Sequence, residues 1–145
     1  MSVELPFAPV DSIIRRNAGD FRVGSAATER LTRHIQRRGA ELAVEAAERA
    51  AADGRKTLMA EDFGVTPAER DALELPIAPI DRIARLDIDD SFRVAADARV
   101  ALATHLEREA DRIAAVAVEL SRHADRRTVT EADVDRYFAI EKHFE

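Results

Sequence analysis

Apolar residues recur at helical spacing along two long stretches that contain no proline. The first stripe consists of Ala27, Leu31, Ile35, Leu42, Ala46 and Ala50, and the second of Ala98, Leu102, Leu106, Ile113, Ala117 and Leu120. Their spacing predicts two long helices that end near Asp53 and Ala124, and Ser25 and Asp97 are suited to cap them. A helix of about 28 residues is ~42 Å long, so neither can bury its stripe within a unit of about 60 residues. Each long helix therefore needs a partner that crosses it.

A short helix is predicted before each long one. Pro9 and Pro79 suit the first turn of a helix, where the missing N–H group needs no partner. The two short helices are expected to run to about Asn17 and about Asp87.

A third helix is predicted after each long one. Thr57 or Met59 opens it in the first half, and Thr130 opens it in the second half with a start that resembles a capping box. The predicted organisation is a first unit at 1–63, a linker at 64–73 with a helical turn at Pro67–Arg70, and a second unit at 74–145. The fold class is all-α, with two short–long–short helix units that form one intertwined domain.

The two halves repeat one another in sequence. The segment from Glu4 to Asp11 recurs from Glu74 to Asp81, Phe21-Arg-Val recurs as Phe92-Arg-Val, and Arg55-Lys-Thr recurs as Arg126-Arg-Thr. Two copies are too few for a solenoid. A domain with internal twofold pseudosymmetry, in which each copy covers the other, is the natural alternative.

The charge of the chain is unusual for a nucleic-acid-binding protein. The chain has 145 residues, 28 acidic and 22 basic, and a net charge of -6. Only two basic residues are lysines, and no cysteine is present, which excludes disulfides and thiolate metal sites. Acid-rich, arginine-over-lysine composition is typical of proteins that work in concentrated salt, where charges are screened over about 3 Å at 1 M. A halophilic source is expected.

The repeated motifs resemble those of archaeal histones. The resemblance rests on Leu-Pro-x-Ala-Pro, Phe-Arg-Val and Arg-[Lys/Arg]-Thr followed by an aspartate, each present twice and in order. The two-copy acidic chain is similar to the fused doublet histones of salt-loving archaea. The resemblance implies two tandem histone folds that form a handshake pseudodimer within one chain, with the first loop of each copy beside the second loop of the other.

The resemblance also implies roles for residues near the second loops. Arg55 with Asp62, and Arg126 with Asp133, would form structural ion pairs that brace these loops. Leu120, His123 and Asp133 match a pattern through which dimers of the family stack, and copy one has Arg49 and Ala52 at the matching places. Self-association through the second copy is therefore expected.

Duplex DNA is the partner that the resemblance implies. The expected DNA-binding residues lie in the paired loops and on the first helices: Arg15, Arg22, Lys56, Thr57, Arg82, Arg85, Arg93, Arg127 and Thr128. Arg22 and Arg93 are the candidates for insertion into the minor groove, which reads groove width and not bases. Three aspartates of the copy-two first loop, including Asp87, would repel phosphate in low salt, so this loop is expected to bind DNA weakly or to bind something else.

Other functions find less support in the sequence. No catalytic constellation, cofactor motif, metal site or small-molecule site stands out, so the protein is not expected to be an enzyme. His34 and His105 occupy equivalent positions, which favours a shared packing role. No signal peptide or apolar stretch of about 18 residues is present, so an intracellular, chromosome-associated protein is expected. The alternative is a histone-fold module for protein–protein interaction, such as a component of a transcription regulator.

Overall fold

The computed structural model describes residues 3–144. Its helices and strands are α1 (Phe7–Ala18), β1 (Arg22–Val23), α2 (Ser25–Ala52), β2 (Thr57–Leu58), α3 (Ile77–Ala84), β3 (Arg93–Val94), α4 (Ala96–His123), β4 (Thr128–Val129) and α5 (Glu131–Glu141). Short 3₁₀ turns lie at Ala60–Phe63, Arg70–Ala72 and Lys142–Phe144. The predicted all-α architecture with two long helices is confirmed, and both long helices end within one residue of the predicted position.

The two long helices contact one another through small residues and fully buried aliphatic side chains. Leu31 and Ile35 of α2 and Leu102 and Leu106 of α4 are fully buried. Gly39 lies in the middle of α2, where a Cβ atom would come within 2.8 Å of Ile83 Cγ2 and 2.9 Å of Leu106 Cδ1. A glycine that would otherwise weaken a helix interior is tolerated here because it permits the close approach.

The segment before each short helix is held by a buried side chain of a long helix. Gln36 Oε1 accepts a hydrogen bond of 2.6 Å from the Glu4 backbone N–H. Glu107 Oε1 accepts hydrogen bonds of 2.8 and 3.0 Å from the backbone N–H groups of Glu74 and Leu75. Both side chains lie on equivalent turns of α2 and α4. The two copies therefore share this hydrogen-bonding arrangement, with an amide in one copy and a carboxylate in the other.

Two short parallel strand pairs connect the first loop of each copy to the second loop of the other. In β1–β4, Arg22 lies opposite Thr128, and in β2–β3, Thr57 lies opposite Arg93. The long helices begin directly after β1 and β3, at Ser25 and Ala96. The expectation that Ser25 and Asp97 cap these helices is therefore wrong.

The cap positions are taken by residues that the strand pairs hold extended. Gly24 N–H donates to the Val129 carbonyl at 2.9 Å, and Ala95 N–H donates to the Leu58 carbonyl at 3.0 Å. Gly24 and Ala95 are the N-caps, and neither has a side chain able to form a capping hydrogen bond. The inter-copy strand pairing decides where each long helix begins.

The third helix of copy one was predicted wrongly. Where copy two has the 11-residue helix α5, copy one has only the 3₁₀ turn Ala60–Phe63, with Met59 as its N-cap. Thr57 lies in β2 and opens no helix. Gly64 ends the turn in the left-handed conformation, with φ 71°, which glycine adopts without strain. The following segment is extended and crosses α4, where Ala68 N–H donates to Thr104 Oγ1 at 3.0 Å.

Two further boundaries differ from the predictions. Helix α3 ends at Ala84 and not near Asp87, so it has 8 residues where α1 has 12. The turn expected at Pro67–Arg70 lies at Arg70–Ala72 instead. In the residues described, no helix is long and apolar enough to cross a membrane.

Candidate nucleic-acid interface

The first loop pair, which we call the β1–β4 end, presents Arg22 beside Arg127 and Thr128. The Arg22 backbone N–H donates to the Arg127 carbonyl at 2.8 Å, which fixes the two side chains on neighbouring positions. Within residues 3–144, the exposed Arg22 side chain has no hydrogen bond or ion pair. The Arg127 guanidinium pairs with Asp20 and lies 5.1 Å from the centre of the Phe21 ring.

The second loop pair, which we call the β2–β3 end, presents Arg93 beside Lys56 and Thr57. The Arg93 backbone N–H donates to the Lys56 carbonyl at 2.8 Å. Lys56 Nζ lies 4.8 Å from the centre of the Phe92 ring and 3.3 Å from Ser91 Oγ. The Arg93 side chain is exposed and, in the part of the chain that is described, has no ion-pair partner.

The β2–β3 end also carries the acidic first loop of copy two. Asp87, Asp89 and Asp90 are all exposed in this loop. Asp89 Oδ1 accepts a hydrogen bond of 2.8 Å from the Ser91 backbone N–H. Hydrogen bonds from Ser91 lower the pKa of Asp89, so the loop keeps its negative charge next to Lys56 and Arg93.

The three arginines expected to bind DNA on or directly after the short helices each have an intramolecular carboxylate partner. Arg15 Nε lies 2.6 Å from Asp11, Arg85 Nε lies 3.1 Å from Asp81, and Arg82 Nε lies 3.3 Å from Glu4. All three guanidinium groups are substantially exposed and remain accessible. A phosphate that bound them would compete with these carboxylates, so each of them would bind phosphate more weakly than an unpaired arginine would.

A bidentate ion pair braces each second loop. Arg55 donates to both oxygens of Asp62 at 2.9 and 2.8 Å, and Arg126 donates to both oxygens of Asp133 at 2.8 and 2.6 Å. Arg55 lowers the pKa of Asp62. The pKa of Asp133 is also lowered, because the hydrogen bonds from Arg126 and Thr130 outweigh the effect of burial.

The same carboxylates also fix the first turn of the segment that follows each loop. The Met59 backbone N–H donates to Asp62 at 2.7 Å, and the Thr130 backbone N–H donates to Asp133 at 2.8 Å. The guanidinium groups also donate to the carbonyls of Thr57 and Thr128. Arg55 and Arg126 thus hold the loops in place and are not free for DNA.

Two groups at the β1–β4 end were not predicted from the sequence. Arg122, near the end of α4, lies with its guanidinium carbon 5.2 Å from the centre of the Phe21 ring. Asp20 neutralises Arg127, which had been counted as a DNA contact. The signal for Asp20 was its position directly before Phe21, whereas Arg122 lies about 100 residues from Phe21 and its contact depends on the tertiary fold.

Comparison with known proteins identifies the family. The family model described as "histone-like transcription factor (CBF/NF-Y) and archaeal histone" matches this chain twice, at residues 3–64 and 73–136. The chain belongs to this family. Its architecture is that of two tandem histone folds.

Individual relatives agree with this assignment. The chain is 49% identical over 59 residues to the archaeal histone HAN1 of Thermococcus zilligii, a match that covers 41% of this chain and 87% of the relative. The histone of Methanopyrus kandleri has a similar structure, with a TM-score of 0.68, 24% identity and 90% of each chain covered. The crystal structure of a Thermus thermophilus protein gives a TM-score of 0.72 at 17% identity, covering 98% of this chain and 99% of that one. At these identities the two structures show the fold alone.

The two equivalent histidines of the histone folds have different surroundings. His34 Nε2 lies 2.7 Å from Glu109 Oε2, and the His34 ring packs against Phe138 at 4.4 Å between centroids. His105 has no counterpart of Phe138, because the third helix of copy one is missing. Burial lowers the pKa of His105, and its Nδ1 atom is buried without a hydrogen bond within residues 3–144. The expectation of a shared packing role is therefore wrong.

The residues expected at an interface between histone-fold chains lie at the end of α4 and in the first turn of α5. His123 is exposed and Leu120 is half-buried. Asp133 is only 2% exposed and is engaged by Arg126 and Thr130. At the matching place in copy one, Arg49 donates to the Asp62 carbonyl oxygen at 2.6 Å. No group of three or more potential metal ligands occurs among the described residues.

Proposed function

We propose that this histone-fold protein binds and bends duplex DNA with little regard to its sequence and organises chromosomal DNA in the nucleoid. The supporting observation is the presence of an unpaired arginine at each end, Arg22 and Arg93, on a backbone fixed by parallel strand pairing. Two guanidinium groups held on rigid supports suit two inward-facing stretches of a curved minor groove. Thr128 and Thr57, next to them, offer hydroxyl groups to the adjacent phosphates.

The central arginines complete the proposed path between the two ends. Arg15 and Arg82 lie on the first helices of the two copies, Arg85 follows directly after the second of these helices, and all three are exposed. They contribute by exchanging Asp11, Glu4 and Asp81 for phosphate oxygens. Since this exchange costs an ion pair each time, we assign the larger part of the affinity to Arg22, Arg93 and Lys56. Arg127 would likewise have to exchange its ion pair with Asp20 for phosphate.

The net charge of -6 makes the proposed binding dependent on solution conditions. In low salt, the acidic surface repels DNA over a Debye length of about 10 Å at 0.1 M, and this repulsion falls as salt rises. Contacts with phosphate also weaken with salt, because they release counterions. We propose that the protein works in concentrated salt, in keeping with its acidic, arginine-rich composition, and that contacts with little net ion release carry its affinity there.

The test is the fluorescence anisotropy of a labelled duplex from about 0.2 to about 3 M KCl. The variant Arg22→Ala/Arg93→Ala is compared with wild type and with Arg33→Ala/Arg37→Ala. The control loses the same charge from middle turns of α2, where the two arginines pair with Glu29 and Glu41. Binding that falls only in the loop variant supports the proposal. A protein that is folded by circular dichroism and binds no duplex at any salt would refute it.

The acidic loop of copy two favours a second candidate function. Asp87, Asp89 and Asp90 lie beside Arg93 and Lys56, where a DNA-only surface would have neutral or basic residues. A histone-fold module that binds another protein, as in a transcription regulator, would account for this charge. Retrieval of a specific protein by the chain after nuclease treatment, without duplex binding in the anisotropy assay, would favour this function.

We further propose that each of 1–63 and 74–145 is one histone-fold unit, joined by 64–73, and that two chains associate through Leu120, His123 and Asp133. Asp133 would accept a hydrogen bond from the histidine of the second chain only through the small part of its carboxylate that remains exposed. Light scattering of wild type and His123→Ala in about 2 M KCl tests the association. A monomeric wild-type protein would contradict it, as would equal oligomers in both proteins.

A further inference from the structure

Phe21, at the β1–β4 end, is covered by two arginines. Arg122 and Arg127 lie 5.2 and 5.1 Å from the centre of its ring. Arg122 is held there by an ion pair with Glu119, three residues earlier on α4. With these neighbours, the Phe21 ring is only 9% exposed.

The repeat places an incomplete copy of this arrangement at the β2–β3 end. Phe92 corresponds to Phe21, Lys56 to Arg127, and Glu48 to Glu119, all at the same offset of 71 residues along the chain. Ala51 stands where the repeat has Arg122. The cation on the helix side of the ring is therefore missing.

The missing arginine leaves an open groove of about 300 Å³, which we call the Phe92 groove. It is lined by Val44, Glu48, Ala51, Asp87, Asp89 and Phe92, among others. Phe92 is half-buried where Phe21 is buried. Within residues 3–144, Glu48 has no hydrogen bond or ion pair, so its carboxylate lacks the partner that Glu119 has in Arg122.

The charge around the groove favours one kind of occupant. Glu48, Asp87 and Asp89 bring three carboxylates to an aromatic ring and an aliphatic wall, and Asp89 is kept ionised by Ser91. An aromatic face attracts cations. A guanidinium fits better than an ammonium, because it is planar, stacks on rings and forms paired hydrogen bonds with carboxylates. The same carboxylates disfavour the phosphates of DNA in this groove.

We propose that the Phe92 groove binds an arginine side chain of a partner protein, in the place that Arg122 fills within the chain at the other end. The partner segment carries that arginine next to an apolar residue, which packs on Val44. The groove is thus a protein-docking site at one end only. It does not depend on DNA binding, since Glu48 and Ala51 are absent from the proposed DNA path.

The first test fills the groove from within the chain. Ala51→Arg restores the arginine that the repeat has at Arg122, and Ala52→Arg is the matched control on the next exposed position of the same helix end. Both gain equally from the helix dipole. We expect Ala51→Arg to melt about 2–4 °C above Ala52→Arg, the shift that a stacked, ion-paired guanidinium produces in a domain of this size. Equal melting temperatures would overturn the proposal.

The second test uses a ligand in solution. The tetrapeptide acetyl-Leu-Arg-Ala-Gly-amide is titrated into isotope-labelled protein and followed by amide shifts in NMR, with the citrulline peptide as the uncharged control. We expect shifts at Glu48, Ala51 and Phe92 that saturate with the arginine peptide and are at least tenfold weaker with citrulline. Ala51→Arg should abolish them and Ala52→Arg should not. Absence of shifts, or equal shifts with citrulline or with Ala51→Arg, would overturn the proposal.

Because the Ala51→Arg variant leaves Arg22 and Arg93 untouched, the duplex assay separates the two proposals. If the chain binds the peptide but no DNA, the docking site is supported and the proposed function is refuted. If the chain binds DNA but not the peptide, the proposed function is supported and the docking site is refuted.

Discussion

The β1–β4 end and the β2–β3 end share a backbone and differ in the groups around their phenylalanines. Both have a two-residue parallel pair, a bidentate arginine–aspartate brace and a phenylalanine at the foot of the first loop. At the β1–β4 end the phenylalanine is enclosed by arginines, whereas at the β2–β3 end it lies open among carboxylates. The groups that the fold and the proposed DNA binding need are therefore present at both ends, whereas the open groove is present at one end.

The largest difference between the ends is expected from their phenylalanines. Phe21→Ala should lower the free energy of unfolding by about 3 kcal/mol, since it removes a buried ring and leaves a cavity, while Phe92→Ala should cost about 1–2 kcal/mol. Urea unfolding of both variants in about 2 M KCl measures this. Equal costs would mean that Phe92 is as well covered as Phe21, and would also remove the basis of the open groove.

The braces provide the next comparison. Asp133→Ala removes hydrogen bonds that begin the 11-residue helix α5, and Asp62→Ala removes those of a single 3₁₀ turn. We expect Asp133→Ala to be the more destabilising, with about 1 kcal/mol from the lost cap alone. The loss of helical ellipticity, measured by circular dichroism, should also be larger. A greater effect of Asp62→Ala would show that the 3₁₀ turn contributes more than its length indicates.

These two carboxylates also predict sensitivity to acid. Their pKa values are lowered in the folded chain, so they stabilise it fully above the ordinary aspartate pKa of 3.8. That stability is lost as the pH falls through the lower folded values. Urea midpoints of wild type should fall below about pH 4, and Asp62→Asn/Asp133→Asn should show a shallower fall. If the urea midpoints of wild type and variant fall in parallel with pH, the two arginine–aspartate ion pairs are not the source of the acid sensitivity.

For DNA, the acidic loop should make the two ends unequal. Arg22→Ala is expected to weaken duplex binding several-fold, and Arg93→Ala less, because Asp87, Asp89 and Asp90 already disfavour phosphate there. Each variant that loses a phosphate contact should lower the slope of log affinity against log salt by about 1. In the background of Asp87→Asn/Asp90→Asn, the same anisotropy assay should show more nearly equal losses of DNA affinity for Arg22→Ala and Arg93→Ala. A larger effect of Arg93→Ala than of Arg22→Ala would contradict the expectation that the β1–β4 end binds DNA more strongly.

The smallest effect concerns His105, which has no counterpart of Phe138 because the third helix of copy one is missing. The pKa of His105 is lowered by burial, so the folded chain resists its protonation and loses stability as the pH falls below the ordinary value of 6.5. Glu109, Arg38 and Arg112 face it, and the two arginines add to the lowering. His105→Gln should remove part of the loss between about pH 6.5 and 5. Identical pH profiles of the urea midpoints of wild type and His105→Gln would contradict this.

The sequence was sufficient for the two long helices and the pairing of the copies, because both follow from periodicity and from the repeat. The starts of the long helices were not predictable from local cap preferences, because Gly24 and Ala95 are held by strands about 100 and about 40 residues away along the chain. The third helix of copy one was predicted by analogy with copy two, although Gly64 and Pro67 in this region disfavour a helix.

The sequence predicted where the arginines of the candidate site lie, but not which of them are neutralised by carboxylates. The pairing of Arg15 with Asp11 and of Arg85 with Asp81 follows the i, i+4 rule and was available in the sequence. The contacts of Arg82 with Glu4 and of Arg127 with Asp20 bring together residues about 80 and about 100 positions apart. Only the folded chain shows that these cations are already neutralised.

The short connection that carries the 3₁₀ turn Arg70–Ala72 has a consequence for how the pseudodimer responds to dilution. Two separate histone-fold chains would associate in a second-order reaction, and their stability would depend on their concentration. Here the second half is tethered to the first, so its effective concentration is on the order of millimolar whatever the number of molecules in the cell. The assembled form persists at any expression level, and neither half can exchange its partner for another histone without first unfolding.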